Sequence, residues 1–293
     1  MRPFPRPDTP SPAQAASDAT WSRGKLMALL VCAAAAVLAV LAGLGWLLWA
    51  PGPPSTTSSG LTEVDTANGA DGADGADGSP RGGAGEAGAR RDELAAAPMI
   101  ELGLDAAKPQ PLSRQVARVL YLPAASGVDE LGVATGFPAT AAGAVAQLAA
   151  IDRAAISSAG PDGARAVIAA WAADGGPTPA TWSGVAAMTT LYSAAGLPAG
   201  YTAGQVDYAP TMGLVKATDG PSFVVACVNG TVTVTFTQTA RVAAADCQRM
   251  VWDQGQEQGR WVIGPGAEPA DPPGAWPGSQ VAIDVGWQEL RDE

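Results

Sequence analysis

The sequence predicts an α+β domain that follows a single transmembrane helix and a flexible linker. A charge-free apolar run near the N-terminus is long enough to cross a bilayer, and Gly-, Ala- and Asp-rich sequence comes after it. Over residues 98–293 the apolar residues are periodic, with helical spacing first and, beyond Gly200, the alternation typical of strands. Helices that precede strands indicate an α+β domain with a curved, mainly antiparallel sheet.

Residues 26–50 are predicted to form the transmembrane helix. The run LMALLVCAAAAVLAVLAGLGWLLWA contains no charged side chain. At about 1.5 Å per residue it exceeds a hydrocarbon core of about 30 Å. Trp46 and Trp49 lie near one end of the run, and Arg23 and Lys25 flank the other. Such residues are typical of membrane interfaces, so we expect all four to contact membrane lipid.

The charges on either side of this helix predict its orientation. Residues 1–25 carry four basic and two acidic side chains, whereas residues 51–97 carry three basic and eight acidic ones. The positive-inside rule therefore places residues 1–25 in the cytoplasm, as a disordered Pro-rich tail, and the domain outside the cell membrane. A cleaved signal peptide is the alternative, but its apolar core would span only about 7–15 residues.

Residues 51–97 are predicted to be a flexible linker. The segment begins PGPPSTTSSG and contains three Gly-Ala-Asp triplets over Gly69–Asp77. The triplets are few and contain no proline, so a spacer is favoured over a collagen-like helix. A flexible chain of this length reaches about 40 Å, which would hold the domain away from the membrane.

Three helices and then a series of strands are predicted within the domain. Thr140 can cap the first helix, the second follows Pro161, and the third begins near Thr181. The alternation of TVTVTFTQT predicts a strand with one buried face and one available face. The predicted strands are Gln205–Tyr208, Gly213–Ala217, Ser222–Val228, Thr231–Thr239, Gln248–Trp252 and Arg260–Ile263.

The composition argues against several classes of function. The net charge is −11, which disfavours direct nucleic-acid binding, and the absence of histidine removes imidazole-based catalysis and the usual zinc sites. The polar groups that remain, such as Asp129-Glu130, Asp152-Arg153, Tyr201, Tyr208 and Lys216, lack the spacing of a catalytic motif. They are interpreted as solvated surface groups, so the sequence predicts neither an enzyme nor a cofactor or metal site.

Cys227 and Cys247 are the two cysteines of the predicted outer domain, where an oxidising compartment favours a disulfide. They could not meet if Asn229-Gly230 formed a two-residue hairpin turn. They could meet if Ser222–Thr239 were one bent strand with Asn229-Gly230 as a bulge. The disulfide is the favoured prediction, with two buried free thiols as the alternative.

Several segments resemble a known group of proteins. GFPATAAGAVAQLAAID (136–152), DGPSFVVAC (219–227), and RWVIGPG with AWPGS (within 260–279) are similar to single-pass membrane proteins of high-GC actinobacteria associated with conjugative and integrative elements. The order of tail, helix, spacer and outer domain also resembles the bitopic assembly subunits of conjugative type IV secretion machines. The resemblance spans about residues 110–287 and implies a cone-like outer domain of the nuclear-transport-factor-2 type.

These observations lead to one favoured function and two alternatives. An anchored domain without a catalytic motif is best interpreted as an assembly or scaffold protein of an envelope complex, in a conjugative DNA-transfer apparatus. Its expected partners are other envelope proteins, including conjugation-machine subunits, and further copies of itself in a homo-oligomer. They would meet an exposed sheet face or edge. The alternatives are an envelope sensor or small-ligand-binding module and, as the least favoured class, a wall-associated enzyme.

Overall fold

A computed structural model of the chain describes residues 82–293, apart from residues 159, 199, 202–204, 236–237 and 256–258. The predicted tail, transmembrane helix and most of the predicted linker lie outside the described residues, as do Arg23, Lys25, Trp46 and Trp49. No helix within the described ranges is long and apolar enough to span a membrane.

Helices and strands alternate in groups along the described chain. In chain order they are α1 (Gly82–Ala96), a 3-10 turn (Leu104–Ala107), β1 (Val119–Leu122), β2 (Gly127–Val128), β3 (Ala134–Thr135), α2 (Ala141–Ile156), α3 (Pro161–Trp171), α4 (Ser183–Ala194), β4 (Gln205–Thr218), β5 (Phe223–Thr235), β6 (Thr239–Asp253), β7 (Arg260–Ile263), α5 (Gln280–Asp284) and β8 (Gln288–Asp292). The three helices predicted from the sequence correspond to α2, α3 and α4.

The main sheet is curled and has six strands in the order β1-β8-β4-β5-β6-β7. Its pairs are antiparallel except for β1 with β8, which run parallel. A separate two-stranded ribbon is formed by β2 and β3. The predicted α+β class is therefore confirmed, and the sheet is mixed with mainly antiparallel pairs.

The helices cover one face of the curled sheet and enclose the larger apolar core. Thr140 begins α2 by accepting a hydrogen bond of 3.0 Å from the Gly143 N–H, as its capping role predicts. Trp171 and Trp261 are fully buried between the helices and the sheet. Trp261 Nε1 also donates a 2.8 Å hydrogen bond to Pro138 O, which ties β7 to the turn before α2.

The opposite face of the sheet is covered by the segments around residues 99–117 and 275–287, which include the 3-10 turn and α5. Met212 and Trp287 form part of the smaller core on this side. The Trp287 Nε1 donates a hydrogen bond of 2.9 Å to Pro273 O, which satisfies the buried indole.

The sequence left a turn or a bulge within one bent strand open at Asn229-Gly230, and β5 continues through both residues as a regular strand. The bulge lies in the neighbouring strand, where the register shifts between Pro210 and Met212 and leaves Thr211 as the additional residue. A Cβ atom at Gly230 would collide with the backbone at Ala209 and Pro210. The glycine therefore permits close strand approach instead of a turn.

The C-terminal part of the predicted linker is structured, since residues 82–96 form α1. Ala95 is buried against Phe223 and Val225 on the outer face of the sheet. Arg91 Nε lies 2.9 Å from an Asp219 carboxylate oxygen, and Arg249 contacts Asp92 at 2.6 Å. Glycine is unfavourable in helices, so these tertiary contacts hold together a helix that its own composition would not stabilise.

Candidate functional site

The outer side of β1 is a free edge of the main sheet. The N–H groups of Glu289 and Glu293 donate hydrogen bonds to Arg118 O and Leu122 O at 2.8 and 3.1 Å. In this parallel ladder, alternate residues turn their backbone groups away from β8. Val119 and Tyr121 are those residues, and no described strand pairs with that side of β1.

The side chains of β1 do nothing to protect this edge. The strand reads Val-Leu-Tyr-Leu, so it has no charge, proline or bulge within it. The shortness of the strand and the flanking Arg118 and Pro123 are the features that limit pairing at this edge. Tyr121 is 55% exposed, whereas Leu120 and Leu122 pack on the helix-side core. The edge thus combines unpaired backbone groups with a large exposed aromatic side chain.

A cleft of about 490 Å³ opens where β1 ends. Its apolar lining residues include Leu122, Pro123, Ala124, Phe137, Ala149 and Leu290. Three charged residues, Arg153, Arg291 and Asp292, also line the cleft, and Arg291 is paired with Glu289 at 3.0 Å. The cleft therefore offers both apolar contact and charged groups to a neighbouring molecule.

A second polar feature lies between α2 and the sheet. Asp152 is only 2% exposed, and neither of its carboxylate oxygens has a hydrogen-bond partner among the described groups. Burial raises the pKa of Asp152 well above its ordinary value, and repulsion from Asp246 raises it further. Burial also raises the pKa of Asp246 to about 7, although hydrogen bonding from Gln248 opposes the shift. The pair therefore retains a proton near neutral pH.

Tyr208 lies in the same interior, where it is 2% exposed and its hydroxyl donates a 3.1 Å hydrogen bond to Ala244 O. The interpretation of Asp152 and Tyr208 as solvated groups was wrong. Asp152 follows Leu148 by four residues and precedes Ala155 by three, so the helical period places it on the buried face of α2. That spacing was the sequence signal that could have revealed its burial.

Asp129 and Lys216, two further polar residues singled out in the sequence, have structural partners. Asp129 accepts a hydrogen bond of 2.8 Å from Trp171 Nε1 and another of 2.7 Å from the Val133 N–H, so it organises the turn between β2 and β3. Lys216 donates to Ala95 O at 2.7 Å. Glu130 and Arg153 are exposed, as their interpretation as surface groups predicted.

Cys227 and Cys247 lie directly opposite each other on β5 and β6, and their sulfur atoms are bonded. The pair is buried within the smaller core, beside Met99. The continuity of β5 through Asn229-Gly230 is what brings the cysteines together. Of the two geometries that the sequence allowed, the structure has the one with a single long strand.

The described residues contain no group of three or more Cys, Asp or Glu side chains arranged to hold a metal ion. The chemistry they offer is strand pairing and apolar contact at the β1 edge, and proton retention at the interior acidic pair. The strand β1 was not predicted from the sequence, although a short apolar run bounded by Pro123 was a signal for it. Comparisons with known protein families, with curated proteins and with solved structures found no match to this chain.

Proposed function

We propose that this chain is a membrane-anchored, extracytoplasmic assembly protein of an envelope complex that serves conjugative DNA transfer. The observation that carries the proposal is the free edge of β1, with the outward backbone groups of Val119 and Tyr121. An extended segment of another protein can add to such an edge as a further strand. Main-chain hydrogen bonds supply affinity in this mode, and neighbouring side chains supply specificity.

The cleft at the end of β1 supports the same function. A strand added beside Val119–Leu122 would continue toward Leu122, Pro123 and Ala124, which line the cleft. Side chains of the added segment would then exchange water for apolar contact. Confinement of an anchored domain to a thin layer raises its effective concentration, so weak pairing is sufficient for assembly.

The order of the elements also supports this assignment. Helices that precede a curled sheet are compatible with the cone-like outer domain that the sequence resemblance implies. The predicted anchor and linker would present this domain outside the membrane. Positioning of partners, and not turnover of a substrate, is the task that such an arrangement serves.

Photocrosslinking in cells tests the proposal. A photoreactive phenylalanine analogue replaces Tyr121 in the full chain, and the captured proteins are identified by mass spectrometry. The matched control carries the same analogue at Val128, which is 68% exposed on the β2–β3 ribbon. We expect envelope proteins to be captured at position 121 only, and a deletion strain to lose DNA transfer. Equal capture at both positions, or unchanged transfer, would contradict the proposal.

The interior acidic pair favours a second candidate, a small-ligand-binding module. The unpartnered oxygens of Asp152 would accept hydrogen bonds from an amine or hydroxyl of a bound molecule. Native mass spectrometry of the outer domain distinguishes this function. A retained mass that disappears in Asp152→Asn would favour the ligand-binding module, and an empty domain would count against it.

A further inference from the structure

We infer that the occupant of the β1 edge is β1 of a second copy of this chain, in an antiparallel pair with its two-fold axis at Leu120. This inference rests on the proposed function, because it names the partner of the same edge. It predicts that two six-stranded sheets join into one continuous sheet.

The backbone of β1 is self-complementary in this register. With Leu120 opposite the partner's Leu120, Val119 lies opposite the partner's Tyr121. Both residues turn their N–H and C=O groups outward, so each of the two symmetry-related pairs can exchange two hydrogen bonds. A shift that places Tyr121 opposite itself would instead bring Val119 to Pro123, which has no N–H to donate.

The charges near the edge also permit self-pairing. In the same register Arg118 lies opposite the partner's Leu122, so the arginines of the two copies are not neighbours. The strand itself carries no charge. Like charges directly opposite each other would destabilise a strand pair, and none is brought together here.

An exposed apolar residue just before β1 favours a second copy over an unrelated strand. Val116 is 85% exposed and lies three residues before β1. If the two chains stayed extended beyond β1, the two-fold register would bring the partner's Val116 opposite Ala124. Ala124 lies with Pro123 at the cleft, so each copy would supply an apolar side chain to the cleft of the other.

The size of the contact determines where the pair forms. A four-residue strand edge is smaller than the interface of a stable soluble dimer, which buries at least about 1,000 Å². The membrane anchor raises the effective concentration of the domains and compensates for the small area. We therefore expect the pair in membranes, and monomers when the outer domain is released and diluted.

A cysteine crosslink in membranes tests the register. Cys32→Ala removes the cysteine of the predicted anchor, and Leu120→Cys is then added to the full-length chain. Residues at the axis form a non-hydrogen-bonded pair with Cα atoms about 4.5 Å apart, which suits a disulfide. We expect a reducible band at twice the monomer mass after mild oxidation. The control Val128→Cys, in the same background, should remain monomeric.

A second variant separates the pairing from random collision and from effects on folding. Tyr121→Pro removes an outward N–H that β8 does not use, so adding it to Leu120→Cys should abolish the crosslink. Equal dimer formation by Leu120→Cys and Val128→Cys would overturn the inference. An absent Leu120→Cys dimer together with capture of a different envelope protein at position 121 would overturn self-pairing but support the proposed function. No adduct at either position would overturn both.

Discussion

The ammonium group of Lys216 donates a 2.7 Å hydrogen bond to the main-chain oxygen of Ala95, so that β4 holds the last turn of α1. Arg91 lies nearby, with its guanidinium carbon 5.1 Å from the centre of the Phe223 ring and its Nε bonded to Asp219. These contacts join a helix of glycine-rich sequence to residues more than a hundred positions away. The folded unit therefore includes α1 and begins earlier than the composition predicts.

Limited trypsin digestion checks this boundary. Trypsin should cut the full chain quickly after Arg81 and slowly after Arg91, because docked α1 resists local unfolding. Asp219→Asn removes the carboxylate that contacts Arg91 and should accelerate cleavage there. Asp162→Asn, which removes an exposed pair with Arg165 on α3, is the control and should change nothing. Equal cleavage rates after Arg81 and Arg91 in the unmodified chain would show that α1 is not docked.

The disulfide between Cys227 and Cys247 should be detectable by mass. We expect both thiols of the outer domain to react with an alkylating agent only after reduction. Replacement of both cysteines by serine removes the cross-link between residues 227 and 247. We expect the free energy of unfolding, measured by urea denaturation, to fall by about 3 kcal/mol. Reaction of both thiols in unfolded, unreduced protein would contradict the bond.

The interior acidic pair should make the domain more stable in acid. The folded-state pKa of Asp246 is raised to about 7 from an ordinary value of 3.8. The contribution of Asp246 to the free energy of unfolding is therefore fully present below about pH 4. It is lost as the pH rises toward 7, because the carboxyl group must then ionise in the folded interior. Asp246→Asn should gain stability relative to the unmodified domain over this window, by at most about 1.4 kcal/mol per pH unit. Urea denaturation at several pH values measures the difference in free energy of unfolding between Asp246→Asn and the unmodified domain. A difference that does not change with pH would contradict the raised pKa of Asp246.

Membrane topology is tested by reporter fusions after residue 60. The excess of basic residues before the predicted helix predicts that everything beyond it lies outside the cytoplasm. An alkaline phosphatase fusion, which needs an oxidising compartment, should be active, and a fluorescent reporter that folds only in the cytoplasm should be dark. The reverse pattern would show that the domain faces the cytoplasm.

The sequence was sufficient for features that depend on local patterns. The helices α2 and α3 follow from amphipathic spacing, the Thr140 cap and Pro161, all of which act within one or two turns. The change of period beyond Gly200 likewise predicted where the long strands begin. These signals are local, so they do not depend on contacts with distant parts of the chain.

Features that depend on distant contacts were missed. Gly230 was predicted to lie in a turn or a bulge, but its lack of a side chain permits the close approach of β4. The residues of α1 were assigned to the linker because of their glycine content. Their contacts with Asp219 and Arg249 form only in the folded domain and leave no local pattern in the sequence. The edge at β1 was also missed, since an edge is a property of the assembled sheet and not of a four-residue run.

The most direct measurement of the central claim is the frequency of DNA transfer in cells that carry Tyr121→Pro. The proline removes the outward N–H of the β1 edge while the inward ladder to β8 is retained, so the fold should persist. Tyr121→Ala is the control, because it loses the side chain but keeps the N–H. We expect transfer and envelope crosslinks to fall far more in Tyr121→Pro than in Tyr121→Ala, at equal protein levels. Equal transfer by the two variants would contradict assembly through the β1 edge.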